Sequence, residues 1–364
     1  MINKVDMTNP TKEFQFSHQG LDRTEEIRER VFSILPGFMS WTILIVMIVL
    51  SFAKPLWAAV IIIAFDLYWL FRLFYMTIFL VLAYGVLAIE KETDWTELCC
   101  LLEKGRSGVE TFRRKQKNLG PRDRIKRWFW FKNKERELQH VIRQGVKVPS
   151  YESLYHLVII AVSNEQRSII EPGLKALTES RFPPKRLIPV LAVEERFGEK
   201  QTEMAEVLQF QYRHHFFDFL VTIHPSNIPG EARVKGANVT YAAKQAAQFF
   251  RTHNIPFENV IVSCFDADTV ADSQYFAALT FHFMRHPDRM RASYQPIPVY
   301  HNNIWEAPGF ARVLELGSSF FQLIEATNPE KLVTFSSHSM SFKALDEVGY
   351  WPVDMISDDS AIYW

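Results

Sequence analysis

Hydrophobic residues are distributed unevenly along the chain, and two long apolar stretches lie near its beginning. The first covers residues 34–53 and is nearly free of charge; the second covers residues 56 to about 87 and is interrupted by Asp66 and Arg72. About 20 apolar residues in a helix can cross the ~30 Å hydrocarbon layer of a bilayer. The pattern predicts two transmembrane helices within residues 34–89, and a pair of buried helices in a soluble protein is the alternative.

The pattern changes after residue 150, where short apolar runs alternate with segments of helical spacing. Residues 156–162, 187–193, 217–223 and 259–264 have the length and β-branched content of strands. Residues 166–179, 202–211 and 232–251 have the spacing of helices. Strands that alternate with helices indicate an α/β domain with a mostly parallel sheet and crossover helices.

Basic residues predict the orientation of the two apolar stretches. Lys12, Arg23, Arg28 and Arg30 precede the first stretch, and residues 104–136 contain 13 basic and three acidic residues. Because loops rich in lysine and arginine stay on the cytoplasmic side, both flanks are predicted to be cytosolic. The chain is then a multi-pass protein of the inner (cytoplasmic) membrane, with residues 1–33 and everything after about residue 90 in the cytosol.

Residues 90–150 are predicted to form a basic amphipathic linker at the membrane interface. Trp128, Phe129, Trp130 and Phe131 lie among the cations of this segment, a mixture that suits the headgroup layer and binding to membrane lipids. A solvated linker with a few aromatic residues packed on the domain is the alternative. The net charge of the whole chain is zero, so no nucleic-acid partner is predicted. Three cysteines without zinc spacing indicate a reducing compartment.

Carboxylates follow the fourth predicted strand. Its apolar run ends in Asp266 and Asp268, which places both at the carboxyl end of the strand, where open α/β sheets bind ligands. Hard oxygen donors suit Mg²⁺ or Mn²⁺, and such an ion usually also binds substrate phosphates.

Polar residues also follow the other predicted strands, and all are expected along one rim of the sheet. Taken singly, each has an ordinary interpretation as a helix cap, a surface charge or a solvated helix residue. They are Ser163, Asn164 and Glu165 after the first strand, Glu194 and Glu195 after the second, and Arg233, Lys235 and Asn238 at the start of a helix.

The order of these motifs resembles the nucleotide-sugar domain of family 2 glycosyltransferases, which have the GT-A fold. The resemblance covers about residues 153–364. The segments that carry it are Val162-Ser-Asn-Glu165, Arg181-Phe-Pro-Pro184, Val193-Glu-Glu195, Lys235-Gly-Ala-Asn238, Asp266-Ala-Asp268, and Ser357-Asp358-Asp359 after residues 342–349.

The resemblance implies a GT-A-like domain over residues 151–364 and a role for each matched residue. Asp268, with Asp266 nearby, is expected to hold Mg²⁺ or Mn²⁺, and Asp359, beside Asp358, to be the catalytic base of an inverting transfer. The acceptor is expected to be lipid-linked or a polysaccharide. The residues expected to contact the nucleotide-diphosphate sugar are Asn164, Glu165, Glu194 (at the nucleobase), Glu195, Lys235 (at the diphosphate), Asn238 and Asp266.

Two features depart from the family pattern. Members usually carry Asp-Asp-Gly after the second strand, where this chain has Glu194-Glu195-Arg196, so the identity of the donor base is open. Processive members also carry Gln-x-x-Arg-Trp some tens of residues past the acidic pair, whereas this sequence ends at Trp364. We therefore expect the chain to be a fragment of a longer protein.

Two other functions fit parts of the sequence. Asp266 and Asp268 also match the signature of haloacid-dehalogenase-like phosphatases, with Ser336, Lys343 and Asp358-Asp359 as later motifs. A non-catalytic membrane scaffold with a decayed transferase domain is the third possibility. The histidines at 214, 215, 301 and 338 lack ligand spacing and are expected to be structural, and Tyr350 and Trp351 either stack on an acceptor sugar or pack in the core.

Overall fold

The computed structural model describes residues 23–300, 304–305, 307–326, 336–355 and 358–362, without the side chains of residues 125, 126 and 358. The chain divides into two compact units, Met1–Val81 and Leu82–Trp364.

Two long helices form the described part of the first unit. Helix α1 spans Arg23–Ala53 and α2 spans Pro55–Lys91, so α2 continues into the second unit. Pro55 begins α2 at the position where a helix tolerates proline, because the missing N–H has no partner there in any case. Within the described residues these two helices are long and apolar enough to cross a membrane. Their positions match the two predicted spans and give a weak indication of membrane association; their sidedness stays a prediction.

The second unit contains a six-stranded sheet in the order β3-β2-β1-β4-β6-β5. The first four strands are parallel to one another, and β6 runs antiparallel to both β4 and β5. The bounds are β1 Tyr155–Val162, β2 Leu187–Glu194, β3 Leu220–His224, β4 Val260–Asp266, β5 Ser293–Tyr294 and β6 His338–Ser341. The sheet is thus mixed: the four predicted strands are present, and the antiparallel edge was missed because β5 and β6 are short and lack an apolar run.

Hydrophobic clusters cover both faces of the sheet, as a parallel sheet requires. Alternate residues of β1 belong to different clusters: Val158 and Ile160 to one, Leu157 and Ile159 to the other. The first cluster includes residues of α6 (Arg167–Thr178), α7 (Glu199–Tyr212) and α9 (Tyr275–Arg285). The second includes residues of α8 (Lys235–Thr252) and α11 (Phe342–Glu347), and the remaining helices of this half are α10 (Gly309–Glu325) and α12 (Asp358–Ala361).

Residues 90–150 form helices that pack on the sheet domain. They are α3 (Trp95–Glu103), α4 (Arg106–Lys117) and α5 (Pro121–Gln144), and their apolar residues belong to the same cluster as α6 and α9. Trp130 and Phe131 are buried, whereas Trp128 and Phe129 are exposed. The segment predicted as a linker is therefore folded against the domain, and its contact with a membrane stays a prediction.

Candidate functional site

The end of β4 brings Asp266 to the rim of the sheet. Residues 260–265 are buried, and Asp266 is the first residue of the strand with a partly exposed side chain, in register with Ala161 of β1. The N–H of Thr269 donates to the Asp266 carbonyl at 3.0 Å, which closes a tight turn directly after the strand. Asp268 is exposed in this turn. The buried run thus ends by presenting two carboxylates at the carboxyl end of a central strand.

Lys235, the first residue of α8, forms an ion pair with Asp266. Its Nζ lies 2.6 Å from Asp266 Oδ1, and both side chains are partly exposed. Burial alone would raise the pKa of the Asp266 carboxyl. The charge of Lys235, with hydrogen bonds from Lys235 and Ser336, outweighs this effect and lowers the pKa below its ordinary value. Asp266 is therefore held as a carboxylate next to an ammonium group.

Ser336 contacts two of the predicted site carboxylates. Its hydroxyl donates to Asp266 Oδ2, and its backbone N–H donates to Asp359 Oδ2. Ser336 adopts a φ of 47°, in the left-handed region that few residues other than glycine enter. Asp266 and Asp359, far apart in the sequence, therefore lie on either side of one serine, and Asp268 follows Asp266 by two residues.

His338 and Trp351 lie behind Ser336 in the core. The indole N–H of Trp351 donates to His338 Nε2 at 3.0 Å, so Nε2 is the unprotonated nitrogen. The other nitrogen, Nδ1, then carries the hydrogen and donates to the Ser336 carbonyl at 3.0 Å. Burial lowers the pKa of His338 to about 4, so the ring is neutral at physiological pH. His338 is structural, as expected, and Trp351 is buried, which excludes its stacking on an acceptor sugar in this conformation.

Tyr300 lies near the same carboxylates and was not predicted from the sequence. Burial raises its pKa, and the negative charges of Glu315, Asp266 and Asp268 raise it further. Its backbone N–H donates to Ser319 Oγ of α10 at 3.2 Å. A tyrosine in an apolar segment carries no pattern that separates a site residue from a core residue, and the sequence therefore held no signal for it.

The carboxylates fit a metal site that substrate phosphates complete better than a site built from protein ligands alone. Among the described residues, no group of three or more histidine, cysteine, aspartate or glutamate side chains could hold a metal ion. Asp266 and Asp268 supply hard oxygens at an accessible rim, and Mg²⁺ or Mn²⁺ is commonly held by one or two carboxylates together with substrate phosphates. The donor set fits such an ion when a diphosphate completes its coordination.

The residues after β1 stabilise their own turn. Glu165 accepts the backbone N–H of Ser163 at 2.6 Å and its hydroxyl at 2.9 Å. Asn164 Oδ1 accepts a hydrogen bond from Gln201 at 3.4 Å. These side chains lie at the same rim as Asp266, because β1 and β4 are parallel neighbours in register.

The polar residues after β2 also form contacts within the protein. Glu194 is nearly buried and pairs with the guanidinium of Arg196, which donates a hydrogen bond to Glu194 Oε1 at 2.8 Å and places its Nε 2.7 Å from Oε2. Glu195 accepts the backbone N–H of Ser226 at 2.7 Å. Asn238 is buried within α8 and donates to the Ala192 carbonyl of β2 at 2.7 Å. Asn238 thus ties α8 to β2, and its contact with a donor stays a prediction.

The position of Lys343 does not fit the role of a later motif residue in a phosphatase. Its Nζ lies 2.8 Å from Glu258 Oε1, and Glu258 lies two residues before the amino end of β4. Asp266 is at the opposite end of the same seven-residue strand, which spans roughly 20 Å at about 3.3 Å per residue. A lysine there cannot reach a phosphorylated Asp266.

Four other residues singled out in the sequence have different outcomes. Tyr350 donates its hydroxyl to Asp346 at 2.6 Å and packs on Phe342. The side chain of Asp358 and the whole of His301 lie outside the described residues. Ser336 matches a motif residue only in the phosphatase interpretation, and its one sequence signal is its position ahead of the acidic pair.

Comparisons with known proteins give only distant likenesses. No protein-family model matches the sequence, and no curated protein matches it. Among solved structures, the chain is similar to the mannosyltransferase PcManGT from Pyrobaculum calidifontis in complex with GDP-Man and Mn²⁺, with a TM-score of 0.39 and 16% identity over 62% of this chain and 58% of that chain. It is also similar to S. aureus TarS 1-349, with a TM-score of 0.33 and 14% identity over 57% of this chain and 53% of that chain. The chain spans a little over half of each, and a likeness of this extent does not by itself assign a function.

Proposed function

We propose that this chain is a membrane-bound, inverting glycosyltransferase of family 2 with a GT-A-like catalytic domain over residues 151–364. It would move a sugar from a nucleotide-diphosphate donor to a lipid-linked or polysaccharide acceptor. The observation that carries the proposal is the contact of Ser336 with both Asp266 and Asp359. A metal-binding carboxylate and a base must lie on either side of one reacting carbon, and these two carboxylates are joined through a single residue.

Asp359 is the proposed base, with Asp358 beside it. The acceptor hydroxyl gives its proton to an Asp359 carboxylate oxygen while its own oxygen bonds to the anomeric carbon of the sugar. The bond from that carbon to the diphosphate oxygen breaks, and its electron pair leaves with the diphosphate. A single displacement of this kind inverts the anomeric centre.

Lys235 and Asp266 form the proposed donor side of the cleft. The ammonium of Lys235 is already at the rim, where it can contact a diphosphate oxygen in place of Asp266 Oδ1. Asn164, Glu165, Glu194 and Glu195 follow the neighbouring strands and are proposed to surround the nucleoside, with Glu194 oriented by Arg196. Mg²⁺ or Mn²⁺, held by Asp268 and Asp266, would supply positive charge to the leaving diphosphate.

The membrane part of the proposal rests on the apolar helices α1 and α2 and on the basic helices α4 and α5. We propose that residues 34–89 span the inner membrane twice, with residues 1–33 and the catalytic domain in the cytosol, where sugar nucleotides occur. The exposed Trp128 and Phe129 of α5, with Lys132 placed 4.8 Å over the Trp128 ring, suit contact of residues 90–150 with anionic headgroups.

The test is transfer or hydrolysis from a panel of nucleotide sugars by the purified protein in detergent, with Mn²⁺ or Mg²⁺. GDP-mannose belongs in the panel because the mannosyltransferase above was solved with it. We expect one donor to be consumed in a metal-dependent reaction. NMR of the product should show an anomeric configuration opposite to that of the donor.

Two variants separate a specific site from a general loss of charge. Asp268→Asn should abolish metal-dependent turnover. Asp272→Asn is the matched control, because Asp272 is also exposed, four residues further on, and its carboxylate accepts the Gln274 N–H at 2.9 Å. Equal activity in Asp268→Asn and Asp272→Asn would contradict the proposal, as would formation of an aspartyl phosphate in the wild type.

A further inference from the structure

We propose that Ser336 is a positioning residue that fixes the donor-side carboxylate of Asp266 and the base carboxylate of Asp359 relative to each other. This inference rests on the proposed function. Ser336 itself is not proposed to contact the substrate; it acts through the two carboxylates that it holds.

Every polar group of Ser336 makes a hydrogen bond. The hydroxyl donates to Asp266, the N–H donates to Asp359, and the carbonyl accepts the Nδ1 hydrogen of His338. Two hydrogen bonds of about 3 Å and the covalent path within one residue limit the separation of the two carboxylates to roughly 9 Å.

The backbone conformation of Ser336 also indicates a positioning role. A serine with a φ of 47° is unfavourable without support from its surroundings, and such conformations concentrate at functional sites. Here the support is a buried chain of hydrogen bonds. Thr240 donates to the Trp351 carbonyl at 2.9 Å, Trp351 donates to His338 at 3.0 Å, and His338 donates to Ser336 at 3.0 Å. This chain ties the serine to α8, the helix that begins at Lys235.

The consequence is a carboxylate with a defined orientation. The Ser336 hydroxyl binds Asp266 Oδ2, so the carboxylate stays anchored when Lys235 turns from Oδ1 to the diphosphate, and Oδ1 can then bind a cation. Groups that orient a metal ligand typically change metal affinity or activity by 10- to 100-fold when they are removed. The Ser336 hydroxyl is expected to have an effect of this size.

The test is Mn²⁺-dependent binding of GDP and of UDP to the whole protein, measured by titration calorimetry, together with thermal unfolding. Ser336→Gly tolerates the positive φ, keeps the N–H that donates to Asp359, and removes the CH2OH side chain. Ser336→Ala, the second variant, removes only the hydroxyl. Ser341→Ala is the matched control, since Ser341 lies at the other end of β6 and its hydroxyl donates to Met290 Sδ at 3.4 Å.

We expect Ser336→Gly and Ser336→Ala to need 10- to 100-fold more Mn²⁺ for half-maximal nucleotide binding, with unfolding midpoints close to that of the wild type. Ser341→Ala should bind at the wild-type Mn²⁺ concentration. If the wild type binds nucleotide and Ser336→Gly binds equally well, the inference about Ser336 is wrong and the proposed function stands. If the wild type binds neither GDP nor UDP with Mn²⁺, the proposed function fails, and the inference falls with it.

Discussion

Gly173 offers a way to move the Asp268 turn without touching any site residue. It lies inside α6, and a Cβ built on it would be 2.7 Å from the carbonyl oxygen of Thr269, the residue after Asp268. Because the obstructing atom belongs to the backbone, a rotamer change cannot relieve the overlap. Gly173→Ala must therefore displace the turn or the helix.

The size of the effect follows from this contact. Ordinary contact begins at 3.4 Å, so the Thr269 carbonyl has to move by about 0.7 Å. Displacements of about 1 Å at a reacting centre can reduce rates by about 100-fold. We therefore expect a 10- to 100-fold fall in metal-dependent turnover. The helix itself gains about 0.5–1 kcal/mol when glycine becomes alanine, which offsets part of the strain, so the unfolding midpoint should change little.

The assay compares turnover, the Mn²⁺ concentration for half-maximal activity and thermal unfolding in Gly173→Ala and Gly317→Ala. Gly317 lies inside α10 with no atom within 4 Å of its built Cβ, so the same substitution there should leave turnover unchanged and raise the midpoint slightly. Wild-type turnover in Gly173→Ala would refute the argument that the α6 contact positions the Asp268 turn.

Two further predictions concern stability. Gly108→Ala should lower the free energy of unfolding by about 1–3 kcal/mol, because its Cβ would overlap the Leu101 carbonyl between α3 and α4; an unchanged thermal midpoint would show that these helices do not pack as described. Burial lowers the pKa of His156 to about 3, so below pH 6.5 the unfolded chain binds a proton that the folded chain does not, and stability falls as the pH drops toward 3. His156→Phe should remove about 2 kcal/mol of the loss between pH 6.5 and 5, seen as a smaller fall in the unfolding midpoint, and an identical pH dependence in both proteins would contradict this.

The parallel part of the sheet was predictable because its strands are buried on both faces. Such strands become continuous apolar runs, and the helices between them keep one apolar side. The predicted strand at residues 259–264 is β4 at Val260–Asp266, and the predicted helix at 232–251 is α8 at Lys235–Thr252. The positions of Asp266 and Lys235 at one rim followed from this pattern.

The antiparallel edge and residues 90–150 were harder to predict. Strand β6 is His-Ser-Met-Ser, four buried residues whose polar side chains are satisfied by partners elsewhere in the chain, such as Ser263 for Ser339 at 2.8 Å. Helices α3 to α5 pack through residues such as Trp95, and the dense cations of α4 and α5 conceal the apolar side of these two helices. In both places long-range contacts decide the structure, and local patterns carry little of that information.

Ser336 illustrates the same limit at the site. Its proposed role depends on a positive φ and on partners at positions 266, 338 and 359, and a single serine in the sequence indicates none of these. The carboxylates could be predicted from their order along the chain. The residue that joins them could not.

The most direct test of the proposed site is a comparison of Asp359→Asn with Asp268→Asn in one preparation, by sugar transfer and by Mn²⁺-dependent nucleotide binding. Asp359→Asn should bind nucleotide and Mn²⁺ like the wild type and lose at least about 100-fold in transfer, because the side chain keeps its shape but no longer accepts a proton. Asp268→Asn should lose the metal-dependent binding itself. Near-normal transfer by Asp359→Asn, or normal metal-dependent binding by Asp268→Asn, would contradict the account.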